Sequence, residues 1–540
     1  MKILNVIRQV GLYVFLIGLV LFTGSIWVGN YSISTEVLDA YITEKGIQSE
    51  LFIESVHETI ADQQFSSSWS LHHALDQALA SANDVYKADG EWGKVIWTKS
   101  ADMAFVLGKR GAGGSVFDNK GMWLFLTFGL GILGGLMFII PGVWLMGPAG
   151  IKNNNVFFNP ATNRGWIGWI TLVWLVLFYC ILYFMPHLSM SWTFIVEPVK
   201  DVFAPGGASQ WFLYGLLYCT VMLVMGIRMM IKYRHSKYQI LRTISVLFFQ
   251  IVFAFLLVEL LPLYQLPAVD FKSAWPLDYD FLFDWNVVDL LRNEAYGKIG
   301  LLVFVWGVFL SLVLVPVFVY IFGKRWYCSW VCGCGGLAET LGDPYRQLSD
   351  KSVKAWKYER YIVHGVLVFA VLMTVWVGYH TYNILHDVEP NDSQAILLGI
   401  SAHDVRSWYS LLIGSIFSGV IGTGFYPAFG NRVWCRFGCP LAAYLGLVQR
   451  FKSRFRITTN GGQCISCGNC STYCEMGIDV RWYAQRGQNI VRSSCVGCGV
   501  CSSVCPRGVL NLENGPEEGR INDNPILIGN GKIELNKEVI

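Results

Sequence analysis

The sequence predicts a mainly α fold, a polytopic helical membrane protein of about eight transmembrane helices that closes on a small cysteine-rich domain, and three observations predict it. Of 540 residues, 54% are hydrophobic and only 15% charged, whereas soluble domains carry about a quarter charged residues. Apolar stretches recur at the roughly 20 residues that a helix needs to cross the hydrocarbon core. There are 15 cysteines, and all but Cys180 and Cys219 lie after residue 327, in CxxC and CxxxC spacings that suit metal ligation better than a dispersed disulfide framework. Net charge is only +3, with the basic residues gathered between apolar runs rather than on one face. That is not the footprint of a nucleic-acid binder, and no nucleic-acid partner is expected.

The elements follow in chain order. Residues 1–29 are an N-terminal transmembrane anchor: Lys2 and Arg8 precede the apolar run, and Gly24 to Val28 offer no small-x-small cleavage site. Residues 30–120 are expected to form a small helical domain outside the membrane, in which Ser67 to Tyr86 opens on a serine-rich cap and repeats apolar positions at Leu71, Leu75, Leu79 and Ala82. Its His72 and His73 are adjacent on that helix, point in different directions and are read as exposed surface residues. Residues 121–322 carry transmembrane helices two to six, 323–360 a cysteine-containing loop, and 361–450 helices seven and eight with a second cysteine pair. The eight apolar stretches are 9–28, 122–146, 166–186, 211–231, 243–264, 300–322, 361–382 and 409–429.

Charge sets the orientation. Connections after even-numbered spans hold Lys152 and Arg164, then Lys232, Arg234, Lys237 and Arg242, then Lys324, Arg325, Arg346 and Lys351. By the positive-inside rule they face the cytoplasm. Asp270, Asp278, Asp280, Asp284, Asp289 and Glu294, between spans five and six, face outward. Eight spans place both termini in the cytoplasm of a multi-pass protein of the bacterial cytoplasmic, or inner, membrane.

Residues 455–512 carry the most specific signal, with a tail at 513–540. Cys464-x2-Cys467-x2-Cys470-x3-Cys474 is followed by Cys495-x2-Cys498-x2-Cys501-x3-Cys505-Pro506, the spacing of a bacterial-type 2[4Fe-4S] ferredoxin-like domain. Three thiolates of one motif wrap a cubane and the fourth comes from the last cysteine of the other. Cys464, Cys467, Cys470 and Cys505 are thereby assigned to one [4Fe-4S] cluster, and Cys495, Cys498, Cys501 and Cys474 to the second. Structural zinc would explain neither the third interval nor the x3 step. Gly468, Gly497 and Gly499 let backbone amides approach the cluster sulfurs. Glu475 stands where Pro506 follows the other motif and is expected to add negative charge beside one cluster.

Two further pairs sit where helices leave the membrane: Cys328-Ser-Trp-Val-Cys332-Gly-Cys334 after span six and Cys435-Arg-Phe-Gly-Cys439-Pro440 after span eight. A spacing of four puts both thiols of a pair on one helix face, so Cys328, Cys332, Cys435 and Cys439 either form an additional iron centre or are small buried thiols. Together with the double ferredoxin motif they resemble the membrane polyferredoxin family, with its CxxxCP motifs, which includes NapH-type quinol-oxidising subunits and NosR-type proteins of nitrous oxide respiration. The resemblance covers roughly residues 300 to 510. Gly333 departs from it in place of a proline, and Cys334 is extra. No counterpart of the NosR-type flavin motif occurs between residues 30 and 120, so no FMN is expected. The tail after Cys505 is too short for the outer domain of the oxidase-assembly relatives.

The resemblance implies electron transfer between the quinone pool, or another membrane donor, and the cytoplasmic clusters, with quinone or quinol, membrane lipid and other redox proteins as partners. A redox-sensing regulator or maturation factor for a respiratory metalloenzyme is the alternative. Transport is disfavoured, because the spans are clean apart from Glu259. His187, His364, His380, His386, His403 and Glu259 are the candidate proton acceptors, or else interfacial hydrogen-bonding groups. Gly422-Thr423-Gly424 reads as helix packing within span eight. Nothing resembling a dinucleotide fingerprint, a P-loop or an HExxH motif is present.

Overall fold

The computed structural model describes residues 2–515 apart from 148, 205, 273, 279, 387–395 and 398, so the expected tail lies outside the described residues from 516 onward. Among the described residues, seven helices are long and apolar enough to cross a membrane: Lys2–Trp27, Lys120–Met146, Trp166–Phe184, Gln210–Lys232, Lys237–Tyr264, Gly297–Phe322 and Val353–Leu385. Each coincides with one of the first seven expected spans. The eighth stretch differs. An α-helix, Ala402–Tyr409, continues as the π-helical segment Ser410–Ile421, and Gly422, Thr423 and Gly424 then turn the chain, with Gly424 close against Val176 of span three, where a Cβ would fall 3.0 Å from its Cγ2. The helix starts earlier than 409 because Ser401 caps it, its side chain accepting from the His403 N–H. Asp404 and Arg406 make its first half polar.

The chain divides into two compact units, Met1–Gly142 with Leu177–Thr220, and Val143–Val176 with Val221–Ile540. In the first unit the two opening spans pack through small residues: a Cβ on Gly134 would stand 2.3 Å from the Phe15 nitrogen, and one on Gly18 2.9 Å from the Gly131 nitrogen. The domain between them is helical as expected, with Thr35–Lys45, Glu50–Thr59, Ser68–Ala88 and Ser100–Arg110. Ser34, Ser49 and Ser67 cap the first three, satisfying amides that a helix start leaves bare. Leu71, Leu75, Leu79 and Ala82 are buried, as their spacing requires. A small sheet is added, in which Asn30–Ser32 pairs antiparallel with Gln64–Phe65 and Ala112–Gly113. Glu197, buried on helix Met190–Phe203, holds Lys109 at 3.2 Å and Lys120 at 2.7 Å.

The second unit contains spans five to seven, helix Ala402–Tyr409 and the cysteine-rich segment. Arg456–Thr459 pairs antiparallel with Leu510–Glu513, Thr459 facing Leu510, and this pair clamps the two ends of the cysteine-rich segment together. Between the strands lie two matched helical turns, Asn469–Thr472 and Val500–Ser503. One apolar core runs from the spans into this domain, including Val315, Val319, Ile413, Leu445, Ile457, Val496 and Leu510. That continuity fixes where the cysteines stand.

Candidate metal centres

The two ferredoxin motifs are built on the same local geometry. Ser466 and Gly497 adopt left-handed φ values of +60° and +61° one residue before the second cysteine of each motif. Gly468 and Gly499, at +79° and +72°, start the two helical turns. The amide of Ile478 donates to Cys474 Sγ, and that of Val509 to Cys505 Sγ, both at 3.4 Å. The chain thus wraps two cysteine-lined pockets. Cys464, Cys467, Cys470 and Cys505 line the first, with Pro506 and Leu510. Cys474, Cys495, Cys498 and Cys501 line the second, with Glu475 and Ile478. Each pocket is lined by three cysteines of one motif and the last cysteine of the other. Among the described residues no three His, Cys, Asp or Glu side chains converge tightly enough for a single ion. Cys467 is exposed, while Cys495 and Cys501 are buried.

The membrane-edge pairs do not lie on one helix face, contrary to expectation. Each pair straddles the start of a new helix. Cys328 ends the single turn Arg325–Cys328, and Cys332, with extended backbone, caps helix Gly333–Thr340. Cys435 lies in the π-helical turn Trp434–Gly438, and Cys439 caps helix Pro440–Lys452, its Sγ accepting the Ala442 amide at 3.3 Å. The physical reason is Pro440, which suits the first position of a helix and cannot continue one from before. The thiols nevertheless share one neighbourhood: Cys439 is within electrostatic reach of Cys435, Cys332 and Cys328, and Cys334 of Cys332, Cys435 and Cys439. Gly335 permits the approach, since a Cβ there would fall 1.9 Å from the Cys328 carbonyl oxygen. Burial pushes the Cys328 thiol up to about 12 and raises that of Cys439. Cys332 is held down by a hydrogen bond from Cys334 and by the Gly335 amide, against burial. Thiolates here need compensating positive charge.

That charge is present and buried. Arg432 donates to Cys435 Sγ at 3.5 Å and to the Cys328 carbonyl at 3.3 Å, and pairs with Glu339 and, at 3.1 Å, with Glu475. Arg242 meets Glu339 at 2.5 Å. Arg346 meets Glu475 at 2.6 Å and Asp343 at 2.8 Å, and Asp343 also takes Lys232 at 2.7 Å and Arg228 at 2.5 Å. Five cations therefore stand against three carboxylates. Burial alone would raise the Glu475 carboxyl, but Arg346, Arg432 and Arg242 hold it down at about 2. Glu475 thus carries the expected negative charge and also anchors two guanidinium groups, in surroundings that are net positive. Sequence reading missed this network because its members are scattered from Arg228 to Glu475.

The second cysteine cavity is docked onto the membrane edge through backbone. Four consecutive carbonyls are each taken by a donor: Cys495 by Gln449 at 2.9 Å, Val496 by Ser329 at 2.8 Å, Gly497 by Tyr238 at 2.9 Å and Cys498 by Gln239 at 2.8 Å. Ser329 immediately follows Cys328 and is fully buried.

The histidines stand elsewhere. His72, expected on the surface, is half-buried, its ring stacked on that of buried His187 with centroids 4.0 Å apart. Only His73 is exposed. The helical offset that separates neighbours sent one of the two inward. His364 bonds the Arg360 carbonyl, His386 packs on Tyr382, and His403 neighbours Asp404. His380 stands 3.8 Å from Asp284. Glu259 is half-buried near the far end of span five. None of these residues is brought to the cysteines.

Two half-buried carboxylates share tyrosine neighbours with the membrane-edge cysteines. In the connection between spans five and six, Asp278 has Asp280, Asp270 and Lys272 as its charged neighbours. Asp280 has Arg406 as its charged neighbour.

Comparison with known proteins agrees with this geometry. A 4Fe-4S binding domain matches residues 305–352 and again 411–458, the two stretches that hold the membrane-edge pairs. A 4Fe-4S dicluster domain matches 463–510. YccM of Escherichia coli strain K12, to which electron transport is ascribed, is 26% identical over 214 residues, 36% of this chain and 54% of YccM. The methylamine utilization ferredoxin-type protein MauN of Methylobacillus flagellatus is 24% identical over 163 residues, 30% of this chain and 52% of MauN. The regulatory protein NosR of Stutzerimonas stutzeri is 24% identical over 173 residues, 31% of this chain and 22% of NosR. The chain thus spans about half the length of the first two relatives and less of NosR. No solved structure matches.

Proposed function

From the premise that the chain is a membrane polyferredoxin with 4Fe-4S binding domains, we propose that it carries electrons from quinol in the membrane to a redox partner on the cytoplasmic side. Cys464, Cys467, Cys470 and Cys505 hold one [4Fe-4S] cluster, and Cys495, Cys498, Cys501 and Cys474 hold the other. Cys328, Cys332, Cys435 and Cys439 ligate an additional iron centre. When bound, such groups supply one-electron carriers whose potential follows charge, hydrogen bonds and solvent exposure.

The row of four docked carbonyls carries this reading, because it ties the second cavity to the residues around Cys328. Arg432 and Arg346 offset the negative charge of thiolates in a buried site, which would otherwise be costly. Exposed Cys467 gives the first cavity a face for a soluble partner.

Iron and labile sulfide analysis with redox-titrated EPR tests the assignment. About eight of each are expected from the two ferredoxin-like sites, with further iron from the membrane-edge set. Zinc without sulfide would overturn it. For topology, helix Ala402–Ile421 counts as the eighth span. A reporter at the C-terminus is then expected in the cytoplasm and one inserted near residue 90 outside, and the reverse pattern refutes that orientation.

One relative's name, regulatory protein NosR, favours a sensor or maturation factor instead. A relay passes many electrons per molecule from quinol to an added acceptor. A sensor is reduced once and stops.

A further inference from the structure

The connection between spans five and six is charged enough to read as an ordinary outer loop, yet the structure takes it deep between helices. The Trp275 amide donates to Ser311 Oγ at 2.9 Å, and Ser311 lies roughly 21 Å along span six from Gly297. The Trp275 indole donates to Thr374 Oγ1 at 2.9 Å, roughly 16 Å along span seven from its Leu385 end. The Phe281 ring fills the place of a side chain at Gly307, its Cζ standing 2.2 Å from where a Cβ would be. Tyr327, next to Cys328, donates to the Lys272 carbonyl at 2.7 Å and accepts the Ala274 amide at 3.2 Å. In a hydrocarbon core of about 30 Å this segment re-enters to at least half depth. Irregular backbone is tolerated there only inside protein or along a cavity, and the ionisable residues it carries mark function by default.

The segment and the cysteines share neighbours. Tyr327 is within electrostatic reach of Cys332 and of Asp270 and Asp278, and Tyr409 of Cys439 and of Asp280. Lys272 bonds Asp270 at 2.6 Å and acts on Cys332. Toward the span ends opposite the cysteines the trail continues: Asp284 pairs with Arg406 and lies 3.8 Å from His380.

We propose that this re-entrant segment is the proton-accepting wall of the quinol site, in which Asp278 and Asp280 take the protons of the quinol while its electrons leave toward the cysteine-lined core. This rests on the quinol reading above. The step balances: two O–H bonds of the quinol break, quinone forms, one proton goes to each carboxylate, and two electrons depart one at a time to the iron–sulfur acceptors. Asp284 and His380 lead the protons outward. Electrons and protons therefore separate to opposite faces, and quinol oxidation builds a transmembrane proton gradient. The groups that face the pair are Asp270 and Lys272 from the same segment, Tyr327, Arg406 and Tyr409, and Asp284 with His380. A carboxylate must be ionised to accept, so the rate is expected to rise with pH as the pair ionises.

The test uses the full-length, iron-loaded protein in liposomes of known orientation with a quinol analogue, reading cluster bleaching and a pH-sensitive dye on each side. For D278N/D280N we expect quinol-driven reduction to fall about a hundredfold, the scale of a lost general base. Iron content and dithionite reducibility report that the variant is folded. The expected dye signal is acidification on the outer side. An infrared carboxylic-acid band near neutral pH, lost in D278N and kept in D278E, gives a readout independent of electron flow. A double variant as fast as wild type, or protons on the cytoplasmic side, overturns the inference alone. A wild type that quinol never reduces overturns the proposed function and the inference with it.

Discussion

Replacing Cys332 and Cys439 together by serine is expected to leave both ferredoxin-like EPR signals in place and to abolish their reduction by a quinol analogue. Serine is nearly isosteric and preserves the extended backbone at both helix starts. Its hydroxyl accepts the Ala442 amide about as well as the thiol does, so folding should survive. As a ligand for a soft iron site it is poor. Iron should fall toward about eight per chain, with dithionite still reducing what remains. Reduction by quinol at the wild-type rate would instead make these four cysteines structural thiols, with the electron route elsewhere.

Glu475→Gln is expected to have the largest effect on stability. The carboxylate is 1% exposed and faces Arg346 and Arg432. Removing one partner of a buried pair costs about 3–5 kcal/mol, because uncompensated charge is left behind. The variant should also raise the potential of the cluster in the second cavity, which Glu475 lines, since negative charge nearby is lost. The sign with pH is fixed. The folded carboxyl titrates at about 2, below the unfolded value of about 4.3, so its contribution is present above pH ~4.3 and lost as pH falls toward 2. Unfolding measured at pH 7 and pH 3 should show wild type and variant converging in acid. Equal stability at pH 7 would contradict the role given to this residue.

What sequence reveals here follows the range of the forces involved. Seven spans were legible because length and apolarity decide them residue by residue. The eighth was displaced because Asp404 and Arg406, unfavourable to any apolar window, lie in its first turns. The strands Asn30–Ser32, Gln64–Phe65 and Ala112–Gly113 are too short to show alternation. Both ferredoxin ligand sets follow from spacing, since one loop must supply three corners of a cubane. The membrane-edge pairs were misjudged as helix faces although Pro440 was a visible start signal. Asp278 and Asp280 read as outer charges because nothing in their own segment shows that Ser311, Thr374 and Tyr327 draw it inward. The arginine network is a purely tertiary product.

The four docked carbonyls bear on kinetics. Main-chain oxygens held by Ser329, Gln449, Tyr238 and Gln239 carry no net charge, so added salt has little to screen. The ferredoxin-like domain is consequently no tethered shuttle that swings between sites. If the chain is the proposed relay, delivery into that domain is a first-order event, indifferent to how sparsely the protein populates its bilayer. Under the proposed relay, collision order enters where quinol meets the protein and where a partner meets exposed Cys467, and those two encounters should answer to concentration.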